Sequence, residues 1–136
     1  MARPKNEHPT PAELEVLKIL WADGSLPVRD VMSRLNAESD QPRAYTSIMS
    51  LMNVMVDKQL LNREPHGRAY VYTAAHQPES TLGEMVSDLC QRAFSGSSST
   101  LVTHLLEGVN PSGEELDQIR QAIEMYRKEQ AAGDKP

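Results

Sequence analysis

The stretch Ala44-Tyr45-Thr46-Ser47-Ile48-Met49-Ser50-Leu51-Met52-Asn53-Val54-Met55-Val56-Asp57 decides how this chain is read. Ile48, Leu51, Met52 and Met55 recur at i, i+3, i+4 and i+7, which gathers them into one apolar stripe of an α-helix. The opposite face carries Thr46, Met49, Ser50 and Asn53, small or uncharged side chains; charge returns only at Asp57 and Lys58. An ordinary solvated face would carry Lys and Glu. A face this short and neutral allows close approach to another surface, and a DNA major groove is one candidate, since it admits a helix and offers base edges to short polar groups. A core helix touched on both sides fits the same residues, because periodicity reports helix and nothing more. The flanking sequence has to separate the two readings.

Downstream the period changes. Leu61-Asn62-Arg63-Glu64 and Ala69-Tyr70-Val71-Tyr72-Thr73 are extended runs flanking Pro65-His66-Gly67-Arg68, the pattern of a β-hairpin with Tyr70 and Tyr72 on one face and Val71 on the other. Arg63 falls on the ascending strand and Arg68 at the tip, with His66 beside the glycine. Upstream, Thr10-Pro11-Ala12-Glu13 is a capping box with proline at N1. It opens a helix whose buried stripe is Leu14, Leu17, Leu20 and Trp21 and whose stop is Gly24. Ser25 and Leu26 leave room for a very short strand. Pro27 starts a second helix with Val28, Val31, Met32 and Leu35 apolar, ending near Asn36 and Ala37. After the polar turn Glu38–Pro42, the third helix has two candidate caps, Asp40 and Thr46, which the sequence does not separate. Three helices followed by a hairpin with a basic tip make a winged helix-turn-helix. In that module the third helix enters the major groove and the hairpin crosses the phosphates.

Gln77-Pro78 breaks the pattern and an all-helical tail follows. Leu82, Met85, Val86, Leu89 and Ala93 form one stripe, and Gly96 with Ser95, Ser97, Ser98 and Ser99 forms a loop. Leu101, Val102, Leu105 and Leu106 give a short second helix ended by Gly108. Ser112-Gly113-Glu114-Glu115 is a second capping box, opening a last helix with Leu116, Ile119, Ile123 and Tyr126 inward. Three such helices bury too little surface to stand alone. A second copy is the natural partner, meeting through Leu82, Met85, Leu89, Leu101, Leu105, Leu116, Ile119 and Ile123. The expected fold is mainly α with a small β-hairpin: a flexible arm (1–9), a winged helix-turn-helix DNA-binding domain (10–76), an α-helical dimerisation domain (77–130) and a flexible tail (131–136).

Composition bounds the function classes. The chain has 136 residues, 39% hydrophobic and 4% aromatic, enough for one ordinary domain or a small domain with an extension. No apolar run approaches the roughly 20 residues that span a bilayer, and the N-terminus lacks a signal-peptide apolar region, so a cytoplasmic protein without membrane insertion is expected. The single cysteine, Cys90, excludes an internal disulfide and a cysteine-rich metal site. His8, His66, His76 and His104 show no ligand spacing, and Ser97-Ser98-Ser99-Thr100 lacks the glycine frame of a nucleophile. No catalytic residue, metal or cofactor is expected. The net charge of −5 is unevenly placed. Residues 1–76 hold nine Lys and Arg against nine Asp and Glu, and residues 77–136 hold five against ten. The acidic excess belongs to the tail, which leaves the first half able to present a basic face.

These residues resemble a known family. Glu13-Leu14-Glu15-Val16-Leu17-Lys18-Ile19-Leu20-Trp21 with Gly24 is similar to the opening signature of the penicillinase-repressor (BlaI/MecI) family. Ala44-Tyr45-Thr46-Ser47-Ile48-Met49 resembles its recognition-helix start, Gly67-Arg68-Ala69-Tyr70-Val71-Tyr72 its wing, and Phe94-Ser95-Gly96-Ser97 with Leu101-Val102 the start of its dimerisation segment. The resemblance covers residues 10–126. It implies a homodimeric winged-helix repressor on a palindromic operator, released when a membrane-bound sensor protease cuts the dimerisation region. It also places Thr46, Ser47, Met49 and Ser50 at the groove and Arg68 on the phosphates. Three positions depart from the family pattern. Val54 stands where an arginine is common, and Pro27 where a Ser or Thr cap is usual, which would pass the capping role to Ser25. The cleaved Asn-Phe bond of some members aligns with His104-Leu105. A copper-responsive branch carries a cysteine cluster, and Cys90 alone does not supply one.

The candidate DNA-binding set is therefore Arg43, Tyr45, Thr46, Ser47, Met49, Ser50, Asn53, Arg63 and Arg68, and Phe94 joins the dimerisation set. Thr46, Ser47, Ser50 and Asn53 can hydrogen-bond base edges, asparagine best to adenine, while Met49 and the threonine methyl pack on thymine methyls. With Arg43 the only guanidinium near the helix start, half-sites rich in A·T and arranged as an inverted repeat are expected. A winged-helix protein–protein adaptor is the second function class, consistent with the overall acidity.

Overall fold

Thr10 opens α1 (Pro11–Asp23) with both bonds of the capping box: Glu13 N donates to Thr10 Oγ1 at 3.2 Å and Thr10 N donates to Glu13 Oε1 at 2.9 Å. Gly24, at φ 83°, ends the helix with its N–H on the Leu20 carbonyl. The computed structural model describes residues 8–133. Most of the expected arm at 1–9 and half of the expected tail at 131–136 lie outside them. Residues 8 and 9 have no regular structure, and residues 131–133 are helical rather than loose.

The second and third helices are α2 (Val28–Ala37) and α3 (Tyr45–Asp57). Neither start carries the side-chain cap expected of it. Pro27 is the N-cap of α2 with no side-chain bond, and Ser25 instead shares a 2.6 Å hydrogen bond with Thr73 Oγ1. Ala44 is the N-cap of α3, so neither Asp40 nor Thr46 caps it. Asn36 fixes the approach to α3: its Nδ2 donates to the Arg43 carbonyl at 3.0 Å and its Oδ1 accepts from Arg43 N at 2.9 Å.

The end of α3 is a Schellman motif. Leu60 N donates to the Met55 carbonyl and Gln59 N to the Val56 carbonyl, with Gln59 at φ 66°. Leu60 packs back toward Met55, and the chain enters β1 (Leu61–His66), paired antiparallel with β2 (Ala69–Ala74). The turn is the two residues Gly67-Arg68, closed by the pair His66–Ala69, and is tighter than the four-residue turn expected from Pro65 onward. Gly67 adopts φ 67°, which a two-residue hairpin loop demands of its first position. Pro65 fits inside β1 because the strand has one unpaired edge, where a missing N–H forfeits no ladder bond. Leu26 forms the expected short strand as a single bridge to Tyr72, with N–H···O bonds of 3.0 and 2.9 Å in the two directions.

One core holds these elements. Val16, Leu17 and Leu20 of α1 meet Val28 and Val31 of α2, Ile48, Met52 and Met55 of α3, then Leu60, Leu61 and Tyr72. Of the apolar stripes expected, Leu51 of α3, Met32 and Leu35 of α2, and Leu14 and Trp21 of α1 are only half-buried, and Val16 takes an inward position on α1 instead. Trp21 Nε1 spans to the His76 carbonyl at 2.9 Å. Among the described residues, the one charged side chain in the core is Glu13, 2% exposed, whose Oε2 lies 2.9 Å from Lys58 Nζ.

The rest of the chain is α4 (Pro78–Ala93), α5 (Ser98–Val109) and α6 (Gly113–Gly133). The chain divides into two compact units, Met1–Asp88 and Leu89–Pro136, with the division inside α4. Ser97 caps α5, its Oγ accepting from Thr100 N. The helix runs through Gly108, and Asn110, at φ 57°, takes the left-handed stop that was assigned to the glycine. Asparagine tolerates that region, and Pro111 follows it. Ser112 Oγ accepts from Glu115 N at 3.1 Å at the head of α6. No helix among the described residues is long and apolar enough to cross a membrane.

Two substitutions check this account by chemical denaturation of the full chain. Gln59→Gly should raise stability by about 0.5–1 kcal/mol, because glycine relieves the left-handed strain while losing some chain entropy. Glu13→Ala should lower it by about 3 kcal/mol, because Lys58 then loses its buried carboxylate.

Candidate nucleic-acid interface

Helix α3 buries Ile48, Met52 and Met55 and leaves Tyr45, Thr46, Ser47, Met49 and Ser50 exposed, so five of the candidate contact residues share accessible positions on one short helix. None is charged, and Val54, 44% exposed, puts a further apolar side chain on the surface. The helix face can hydrogen-bond through hydroxyls and pack through Met49. It has no cation of its own before Lys58, which lies at the C-cap beside Glu13.

The arginines that surround α3 are held in different ways. Arg43 Nη2 meets Glu15 Oε2 on α1 at 3.2 Å. Both side chains are substantially exposed, so this ion pair is worth at most about 1 kcal/mol and can yield to a phosphate. Arg63, on β1, donates from Nη1 to Asn53 Oδ1 at 2.8 Å, and its guanidinium carbon stands 4.7 Å from the centre of the Tyr70 ring. Arg68 occupies the second position of the hairpin turn and is exposed, while His66 is the last residue of β1 rather than part of the turn.

Asn53 departs from the base-reading role that its residue type suggests. Its Oδ1 accepts from Arg63 Nη1 and, at 2.9 Å, from the Tyr72 hydroxyl. Both lone pairs of that oxygen are engaged, whereas the paired contact with adenine needs the same oxygen as an acceptor. Tyr70 and Tyr72 are therefore part of the interface framework, which the sequence reading treated only as a strand signal. A sequence signal for this did exist. A two-residue loop fixes Arg63 opposite Tyr72 and Pro65 opposite Tyr70, and that register makes Arg63 and Tyr70 diagonal neighbours on one face.

The expected dimerisation residues lie on helices that cover little. Leu82, Leu89, Leu105, Leu116 and Ile123 are between 42% and 49% exposed, and Met85, Phe94, Leu101 and Ile119 are half-buried. Neither α5 nor α6 buries a single residue. The expectation that Leu116, Ile123 and Tyr126 turn inward is thus not met within one chain, since Tyr126 is 62% exposed. His104 and Leu105 sit in the middle of α5, with the His104 ring 5.1 Å from that of Phe94. Cys90 is half-buried on α4.

The chain is similar in sequence to known proteins. A family model described as penicillinase repressor matches residues 9–125. The chain is 27% identical over 117 residues to the penicillinase repressor of Bacillus licheniformis, covering 85% of this chain and 89% of that protein. It is 32% identical over 113 residues to the transcriptional regulator BlaI of Mycobacterium tuberculosis, covering 82% and 79%. A crystal structure of a transcriptional regulator from Thermotoga maritima superposes with a TM-score of 0.48 at 14% identity, covering 93% of this chain and 80% of that one.

A wing arginine set beside a neutral helix should meet phosphate rather than bases. Arg68→Ala is expected to weaken binding to cognate and unrelated duplexes about equally and to reduce the salt slope by roughly one per protomer. Titrations at several salt concentrations measure both, and a loss confined to cognate DNA would assign Arg68 to base readout.

Proposed function

From the penicillinase-repressor family, to which this chain belongs, we propose a more specific role than transcriptional repression alone. The protein acts as a homodimer that holds a palindromic operator with α3 of each protomer in the major groove and each wing across the phosphates. The observation that carries this reading is the exposed, uncharged face of α3 beside a hairpin bearing Arg63 and Arg68. Residues 10–76 supply the DNA-binding domain and residues 77–130 the dimerisation domain. With Thr46, Ser47, Met49 and Ser50 as the groove-facing residues, the half-sites are rich in A·T and form an inverted repeat, because the dimer is two-fold.

The second copy covers what one chain leaves open. Leu82, Leu89, Leu105, Leu116 and Ile123 are apolar and exposed on three successive helices. Removing each from water is worth about 1.5–3 kcal/mol, so a handful suffices for tight association. Release follows from cutting the dimerisation region near His104-Leu105 by a membrane-bound sensor protease. That bond is helical, and a protease needs extended chain, so α5 must open first. Within one chain α5 buries no residue, so in a protomer that has parted from its partner it opens at low cost.

Selection from a random duplex library tests the operator, and recovery of G·C-rich direct repeats would overturn both the helix face and the symmetry. If no duplex is bound, the adaptor reading of the winged helix returns. Dimerisation is checked in the full chain. Leu116→Glu combined with Ile123→Glu should sediment as a folded monomer and bind the operator far more weakly than the parent, whereas a variant that remains dimeric would move the interface elsewhere.

A further inference from the structure

Three arginines on and beside α2 and α3 differ in what holds them. Arg34 pairs with Asp23 at 2.6 Å and Arg43 with Glu15 at 3.2 Å, so each has a carboxylate against it. Arg63 is held by an amide oxygen and an aromatic face, both neutral. A carboxylate orients a guanidinium and cancels its field, whereas an amide and a ring orient it and leave the charge intact. Glu64, its neighbour on β1, points to the other face of the hairpin by strand alternation.

We infer that Arg63 is a preorganised phosphate clamp at the junction of α3 and the wing, and that Asn53 is the residue that positions it. This rests on the DNA-binding reading above. Asn53 Oδ1 takes one N–H of the guanidinium, the Tyr70 ring lies against it, and the remaining N–H groups are available to a phosphodiester oxygen pair. The second lone pair of the same oxygen satisfies the hydroxyl of Tyr72, a residue only 2% exposed, whose backbone is bridged to Leu26. Asn53 thereby joins the helix in the groove to the strand that carries the wing, and it sets where the clamp stands relative to the base-reading face. Asn53 does not read adenine while it does this, because no acceptor lone pair is left for the base.

Full-chain variants separate these roles. Arg63→Ala should weaken cognate and unrelated duplexes equally and lower the salt slope by roughly one per protomer. Asn53→Ala should weaken both by about 3- to 10-fold, without changing base preference at any position, and should add nothing further in the Arg63→Ala background. Asn53→Asp keeps the acceptor for Tyr72 and so preserves folding, but it neutralises Arg63. It should lower the salt slope as Arg63→Ala does, an effect that a purely structural role would not produce. In the free protein, the side-chain ¹⁵N resonances of Arg63 should show slowed exchange that Asn53→Ala abolishes. Relaxed selectivity at one base position in Asn53→Ala, additivity with Arg63→Ala, or an unchanged salt slope in Asn53→Asp would each overturn the inference. If the parent protein itself bound no duplex while the Arg63 resonances behaved as expected, the repressor reading would fail rather than the geometry.

Discussion

The carboxylate of Glu13 accepts hydrogen bonds from the backbone at the start of α1 and from the Lys58 ammonium at the end of α3, and it does so at 2% exposure. A carboxylate in that position is intolerable without donors, since burying an unpaired charge costs several kcal/mol or about that order. Its two duties draw on different requirements. The capping box wants an acidic residue at N3, and the C-terminus of α3 wants a cation against its helix dipole. One side chain meets both, joining positions 45 residues apart in sequence. The C-terminal end of α3 is thereby tied to α1, while Ile48, Met52 and Met55 hold its apolar face to the core. The Schellman turn at Gln59 then delivers Leu60 and Leu61 into that core, so the hairpin leaves α3 in a fixed direction. The direction of the wing follows from how α3 ends.

The polar contacts of the first unit divide by what they leave behind. Glu13, Asp23 and Glu15 hold cations that organise helices, and each such pair is locally compensated. Asn53 and Tyr70 hold a cation without compensating it. On the proposed reading, this distinction reconciles a net charge of −5 with a role on DNA. Total charge describes average behaviour at long range, which salt screens within about 8–10 Å. What a phosphate meets at contact distance is a particular guanidinium and whatever lies against it.

Much of the fold was legible in the sequence because it rests on local rules. The capping box at Thr10, the stop at Gly24, the apolar stripe of α3 and the hairpin around Gly67 all depend on residues within a few positions of one another. The parts that were not legible depend on distant partners or on a residue standing in for the usual one. Gln59 occupies a left-handed position that normally signals itself as glycine, and Asn110 does the same at the end of α5, which moved the apparent stop to Gly108. Pro65 advertised a turn two residues before the actual one, since nothing in its own neighbourhood says that a strand edge is unpaired. Asn53 was read from its residue type as a base contact, and only the register of the hairpin shows that Arg63 and Tyr72 converge on its oxygen. The outward positions of Leu116 and Ile123 could not be read from periodicity, which finds the stripe but not what covers it.

On the proposed reading, the neutral face of α3 and the exposed leucines of the tail are two sides of one constraint. A recognition helix without cations gives up the strong, sequence-independent attraction that lysines and arginines along it would supply. A single protomer then holds DNA through a few neutral contacts and a small number of wing arginines, which is weak in absolute terms but discriminating. Affinity has to come from joining two such sites, where the second binds at an effective concentration set by the tether, in the millimolar range for short links. The apolar stripes of α4, α5 and α6 provide that join, and they do so without touching the bases. Repression can therefore be removed by an event confined to the tail. On that reading, severing α5 leaves each winged helix its own core, since the residues of that core run from Val16 to Tyr72. It takes away only the second site, and with it the part of the affinity that the neutral helix was never able to supply.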